Sequence, residues 1–277
     1  MNPDGAGFSR PGRLTVAERR AALAAPADLE GFTSSWHQTG GVRLHVRQRS
    51  SRYSGATPCV LLHGLAVSHR YLMPTARAQT NRRVYLPDLA GFGLSSKPAN
   101  VLDVTGHARV LAEWLDAASL GPVAVLGNSF GCQVAVELAH RRPDLVTALI
   151  LVGPTTDPAA ASVSGQLRRL LLDLPFEDPR QIPILTADLR DAGLRRVSAT
   201  LRFAVRDHIT TKLATVRVPV LLVRGSRDRI ARQPWLDHLA TVIADAEILV
   251  LRGAAHNAVT TAGPQLAAAV DRFLDNR

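Results

Sequence analysis

Gly127-Asn128-Ser129-Phe130-Gly131 follows the apolar run Val123-Ala124-Val125-Leu126 and precedes Cys132-Gln133-Val134-Ala135-Val136-Glu137-Leu138-Ala139. A short buried strand, a Gly-x-Ser-x-Gly pentapeptide and a helix in that order leave the chain little freedom. The strand must turn into the helix within five residues, and the glycines two before and two after the serine let strand and helix nearly touch. So tight a turn strains the serine backbone and pushes its hydroxyl outward, which is the geometry of a nucleophile elbow. Ser129 is therefore a candidate nucleophile on a sheet whose strands feed helices.

The rest of the chain keeps that rhythm. Gly31 to Arg49 reads as a hairpin turning at Gly40-Gly41, with Val42-Arg43-Leu44-His45-Val46 alternating apolar and polar. Cys59-Val60-Leu61-Leu62, Val84-Tyr85-Leu86, Ala148 to Val152, Val218 to Val223 and Ile248 to Leu251 are apolar runs suited to strands buried on both faces. Helical spacing fills the gaps, as at Val110, Leu111, Trp114 and Leu115, and at Leu266, Val270 and Phe273. The expectation is an α/β fold: a mostly parallel central sheet with helices on both faces. Ahead of it, Thr15-Val16-Ala17-Glu18 gives a capping-box signature for a short helix to about Ala25, after a tail over 1–13.

One segment departs from the pattern. About sixty residues without a strand signal separate Gly153-Pro154 from Val218, more than a plain crossover needs. Gln166 to Leu174 and Leu194 to Val205 place apolar residues at helical spacing with arginines opposite. The expected domains are a tail and short helix over 1–30, an α/β core over 31–154 and 217–277, and an inserted helical cap over 155–216. The cap leucines, among them Leu170 and Leu201, are expected to be buried over the pocket.

Bulk properties remove other classes. The 277 residues are 46% hydrophobic with a net charge of +10. The excess is almost all arginine, Lys97 and Lys212 being the only lysines, and it is scattered from Arg10 to Arg277 instead of forming a stripe. That argues against a nucleic-acid partner and leaves room for anionic small molecules. No window approaches the roughly 18 apolar residues of a membrane span. Residues 1–26 show no apolar h-region, so the expected location is cytoplasmic. Cys59 and Cys132 fall in or beside core elements and read as reduced, buried thiols. No His/Cys/carboxylate spacing suggests a metal, and dinucleotide and P-loop glycine patterns are missing, so neither cofactor nor metal is expected. Oligomeric state is not legible.

A serine hydroxyl needs a base, and the base needs an orienting carboxylate. After Ser129, one strand run leads into Arg224-Gly225-Ser226-Arg227-Asp228 and the next into Arg252-Gly253-Ala254-Ala255-His256-Asn257. Asp228 and His256 thus sit just beyond strand C-termini, the edge where an open α/β sheet builds its site. With His63-Gly64 after a buried strand and Asp88-Leu89-Ala90-Gly91-Phe92-Gly93-Leu94-Ser95 after the next, the chain resembles the α/β-hydrolase superfamily over Gly31 to Leu274. The resemblance implies a Ser129, Asp228, His256 triad in that chain order. It also implies an oxyanion hole from the backbone N–H groups of Leu65 and Phe130, whose side chains then wall the acyl pocket. Asp157, after the strand that follows the elbow, is the rival acid; the Gly-x-x-Asp setting favours Asp228.

Other polar residues read as structural. His63 is expected to hold its loop, His69 to be a solvated loop histidine, and Asp88 to fix its turn through side-chain-to-backbone bonds. Cys132 reads as packing variation. The expected reaction is hydrolysis of a small or medium carboxylic ester through an acyl-enzyme. Two alternatives stand beside it. Gly-Asn-Ser-Phe-Gly resembles the elbow of meta-cleavage-product hydrolases, which cleave a carbon–carbon bond, and the same fold also serves slow-turnover ligand receptors.

Overall fold

The computed structural model describes residues 31–50 and 56–277. The expected helix from Thr15 to about Ala25, and the tail before it, lie outside the described residues. Eight strands form one sheet: β1 (Thr33–Thr39), β2 (Val42–Arg49), β3 (Cys59–Leu62), β4 (Val84–Pro87), β5 (Val123–Asn128), β6 (Val146–Val152), β7 (Val220–Gly225) and β8 (Ala246–Leu251). Their spatial order is β1-β2-β4-β3-β5-β6-β7-β8. The hairpin β1–β2 and the β2–β4 pair are antiparallel, and the pairings from β4 through β8 are parallel. Parallel neighbours need crossovers, and helices provide them: α1 (His69–Ala78), α2 (Val104–Ala117), α3 (Phe130–Arg141) and later α8 (Gln233–Val242), while α9 (Ala258–Thr261) and α10 (Gly263–Asp275) follow the last strand.

The strand residues alternate between two cores, as a period of two requires. Val60, Leu62, Val125 and Leu149 join Trp114 of α2 and Val134 of α3 on one face. Cys59, Leu61, Leu126 and Ile150 join Leu72 of α1 and Leu266 and Val270 of α10 on the other. Burial on both faces explains why the central strands read as unbroken apolar runs. Each buried leucine or valine contributes roughly 1.5–3 kcal/mol, so this double core fixes the strand ends on which the loops stand.

Between β6 and β7 lie α4 (Val163–Asp173), α5 (Ile182–Ala192), α6 (Leu194–Ala204) and α7 (Ile209–Leu213), with three short 3-10 turns among them. Here one expectation is corrected. Leu170 is 46% exposed and Leu171 66%, and Leu201 is only half-buried. The buried residues of α4 are Arg169 and Asp173. Helical spacing shows which residues share a face but not which face meets the protein. The charged face wins because its partners are backbone groups in the sheet loops: Arg169 Nη1 donates to Ile230 O at 2.9 Å, and Asp173 accepts from Arg229 N at 2.8 Å. No described helix is long and apolar enough to cross a membrane.

Candidate active site

Ser129 joins β5 to α3 with φ 54° and ψ −117°, a conformation costly for any residue with a Cβ. The flanking glycines leave no alternative. A Cβ at Gly127 would lie 2.4 Å from the Gly131 carbonyl oxygen, and one at Gly131 would lie 2.5 Å from Leu62 O. Ser129 N donates to Val152 O at 2.9 Å, and Asn128 Nδ2 donates to the same oxygen at 3.1 Å. The elbow is thereby tied to the end of β6. The next residue, Gly153, has φ +59°, and a Cβ there would stand 2.9 Å from the His256 ring and 3.3 Å from Asp228 Oδ2. The His256 ring therefore rests one residue beyond the carbonyl that anchors Ser129.

Asp228 and His256 come together across twenty-eight residues: His256 Nδ1 donates to Asp228 Oδ2 at 3.0 Å. The other carboxylate oxygen accepts from Ile230 N at 2.7 Å and Ala231 N at 2.8 Å, so the Asp228 carboxylate is fixed by its own loop. Both side chains are buried. With Nδ1 bonded to the carboxylate, neutral His256 keeps Nε2 as its proton acceptor. Burial pulls the His256 pKa down, but the charge and hydrogen bond of Asp228, with Asp173 and Glu177 behind them, outweigh it and raise the pKa to about 9. Asp157 does not reach this pair. It is held by Arg169 Nη1 at 2.7 Å and Arg232 Nη2 at 3.5 Å.

The loop after β3 closes on the elbow. A Cβ at Gly64 would lie 3.3 Å from Ser129 Cβ. Leu65 follows, in a turn whose next residue, Ala66, has φ 63°. His63 locks this turn: Nδ1 donates to Gly64 O at 2.8 Å, and Nε2 accepts from Leu89 N at 2.9 Å. Phe130 opens α3, where the first N–H groups have no carbonyl to bond within the helix. Its ring is buried edge-on against His107, centroids 5.6 Å apart. Leu65 is half-buried against the core.

Asp88 accepts from Leu94 N at 2.9 Å and His69 N at 2.7 Å, fixing its turn as expected. His69 is a second correction. Instead of being solvated it is buried at the start of α1, and its Nδ1 lies 2.9 Å from Asp88 Oδ2, beside His45 Nδ1 at 2.8 Å. Burial would raise the Asp88 carboxyl, but His69 and His45 outweigh it and hold it well below the usual range. His45, His69 and Asp88 offer ligand atoms within 4.8 Å of one another, which their sequence spacing concealed. The four donors that already bond the Asp88 carboxylate, His45 Nδ1, His69 N, His69 Nδ1 and Leu94 N, account for the cluster. Cys59 and Cys132 are free and buried; Cys132 Sγ packs 3.1 Å from Gly127 O, and burial pushes its thiol pKa far up.

Sequence reasoning missed several residues at the site. Gly153 carries no signal apart from ending a strand. Asp173 and Glu177 sit in the segment between β6 and β7, yet Glu177 accepts from Asn257 N at 2.7 Å, next to His256. Near Phe130, both nitrogens of buried His107 lack a hydrogen-bond partner, as do Arg196 Nη1 and Thr200 Oγ1, four residues apart on α6. Burial first, then His63 and Arg196, push His107 down to about 3, so its ring is neutral. A surface cleft of about 340 Å³ lies elsewhere, between Val101, Leu102, Arg109 and Phe203.

Comparison with known proteins agrees with this architecture. The family model for the alpha/beta hydrolase fold matches residues 57–178. The polyketide synthase ThaQ of Burkholderia thailandensis is 31% identical over 263 residues, covering 85% of this chain; the chain spans only 12% of that protein's length. The 2-hydroxy-6-oxo-2,4-heptadienoate hydrolase of Pseudomonas putida is 29% identical over 232 residues, 77% of this chain and 76% of that protein. Among solved structures, a thermophilic esterase from Thermogutta terrifontis superposes with a TM-score of 0.75 at 19% identity, over 88% of this chain and 98% of its own.

Proposed function

Because the chain belongs to the α/β-hydrolase superfamily, we propose that it is a serine hydrolase acting on a small or medium carboxylic ester. The observation that carries this reading is the His256–Asp228 hydrogen bond at 3.0 Å, beside a serine held at φ 54°. Ser129 Oγ attacks the ester carbonyl carbon while its proton passes to His256 Nε2. Asp228 keeps the ring oriented and stabilises the imidazolium. The oxyanion is held by the N–H groups of Leu65 and Phe130. Collapse expels the alcohol, which takes the proton from His256. Water then repeats the sequence on the acyl-enzyme and releases the acid. Residues 155–216 act as a cap over these loops.

A fluorophosphonate probe should label Ser129, and Ser129→Ala should abolish labelling and lower ester turnover by about 10³ or more. Labelling that survives the substitution would remove Ser129 from its role.

A second reading has an observation of its own. The unpartnered polar atoms of His107, Arg196 and Thr200 suit an acidic, conjugated substrate better than a plain acyl chain. The likeness to a heptadienoate hydrolase points the same way. On that reading Ser129 attacks the ketone and a carbon–carbon bond breaks. Steady-state comparison of p-nitrophenyl acetate, butyrate and hexanoate with a 2-hydroxy-6-oxo-dienoate separates the two. Rising kcat/KM along the ester series supports the first reading; a dienoate preferred by orders of magnitude installs the second.

A further inference from the structure

Three charged residues, four apart, line the face of α4 that points inward: Arg169, Asp173 and, just past the helix, Glu177. Each is bonded to the backbone of a loop that carries the acid or the base. Arg169 Nη1 donates to Ile230 O at 2.9 Å, two residues past Asp228. Asp173 accepts from Arg229 N at 2.8 Å, one residue past Asp228. Glu177 accepts from Asn257 N at 2.7 Å, one residue past His256. The leucines of the same helix face away, so apolar burial does not account for its docking. We propose that Asp173 and Glu177 are positioning residues: a two-carboxyl latch by which the inserted segment holds the Asp228 and His256 loops in register for proton transfer. The inference rests on reading Asp228 and His256 as acid and base.

The latch also sets the charge felt by the imidazole. Burial, then the adjacent Asp173 carboxyl, raise the Glu177 pKa to about 7. Above that pH Glu177 is charged and adds to Asp173 and Asp228 in favouring protonated His256. The other groups facing this cluster are the Tyr71 hydroxyl of α1, bonded to Asn257 Oδ1, and Arg224, which donates to Asp228 O at 3.0 Å. Arg229 points aside, over the Phe176 ring.

Glu177→Gln and Glu177→Ala separate the two effects. Glutamine keeps an acceptor for Asn257 N and removes the charge; alanine removes both. In Glu177→Gln the His256 ring, followed by NMR with no substrate present, should titrate lower by about half a unit or more. The acid limb of kcat/KM should move down with it, while kcat at its plateau stays within twofold. In Glu177→Ala kcat should fall about tenfold or more with KM nearly unchanged, because the latch touches no substrate. Asp173→Asn, which also keeps an acceptor, gives the same lowered titration if the alanine variant fails to fold. A His256 titration identical to wild type in Glu177→Gln and Asp173→Asn overturns the proposal. So does a wild-type kcat in folded Glu177→Ala. The substrate-free titration reports on the latch even if Ser129→Ala remains active, which would instead refute the hydrolase reading.

Discussion

Gly153→Ala is the most discriminating single substitution, since it adds one methyl group directly under the hydrogen-bonded His256–Asp228 pair. The new Cβ would stand 2.9 Å from both Cε1 and Nδ1 of His256 and 3.3 Å from Asp228 Oδ2. Ordinary contact needs at least about half an ångström more, so the ring must lift. The backbone adds its own strain, because φ is +59°. Left-handed strain costs about 1–2 kcal/mol and overpacking a further 1–3 kcal/mol. At roughly 2–4 °C per kcal/mol, the melting temperature should fall by roughly 5–15 °C. A displacement of about half an ångström in the base should lower kcat about tenfold or more. Gly41→Ala is the control. Its φ is +73°, but nothing lies within 4 Å of the new Cβ. It should lose roughly 2–8 °C and no kcat. Thermal melts and ester kinetics on both variants decide the matter. If Gly153→Ala keeps kcat within twofold of wild type, the ring does not need the position argued for it.

Asp228→Asn should cripple kcat with the fold intact, whereas Asp157→Asn, which breaks only the Arg169 and Arg232 pairs, should cost stability more than rate; the opposite pattern in kinetics would move the acid to Asp157. The pH profile of kcat/KM should show an acid limb centred well above 6.5, toward 9, because His256 must lose its proton to act as base; a limb at or below 6.5 would refute the raised pKa. Between pH 6.5 and about 9 stability should fall as pH rises, because folded His256 holds its proton to higher pH than the unfolded chain does. Below 6.5 the buried, neutral His107 acts in the opposite direction, so the Glu177 contribution, present in full below 4.5 and lost by about 7, should be read as the difference between the wild-type and Glu177→Gln melting curves over that range. Leu171→Ser, on the exposed leucine face, should change neither melting temperature nor ester chain-length preference, and a shift in that preference would place the face against substrate.

What the sequence alone determined was whatever is local or strictly periodic. Unbroken apolar runs separated by helical spacing required a doubly covered, mostly parallel sheet, because only strands buried on both faces read that way. Gly127 and Gly131 marked the elbow, because no Cβ fits where strand and helix backbones meet. Asp228 and His256 were legible as loop residues at strand ends, and the structure pairs them at 3.0 Å. Tertiary structure decided the contacts between distant segments. Equal helical spacing of leucines and charges in α4 cannot say which stripe turns inward, and the loop N–H groups of Arg229 and Asn257 selected the charged one. His69 looked solvated until the fold placed His45 and Asp88 around it. The partners of Asp157, Arg169 and Arg232, were equally invisible in the sequence. Gly153 gained its meaning only when a ring from a loop a hundred residues later came to rest on it. A local pattern constrains backbone conformation within a turn or two; which side chains meet depends on how the sheet brings the strand ends together.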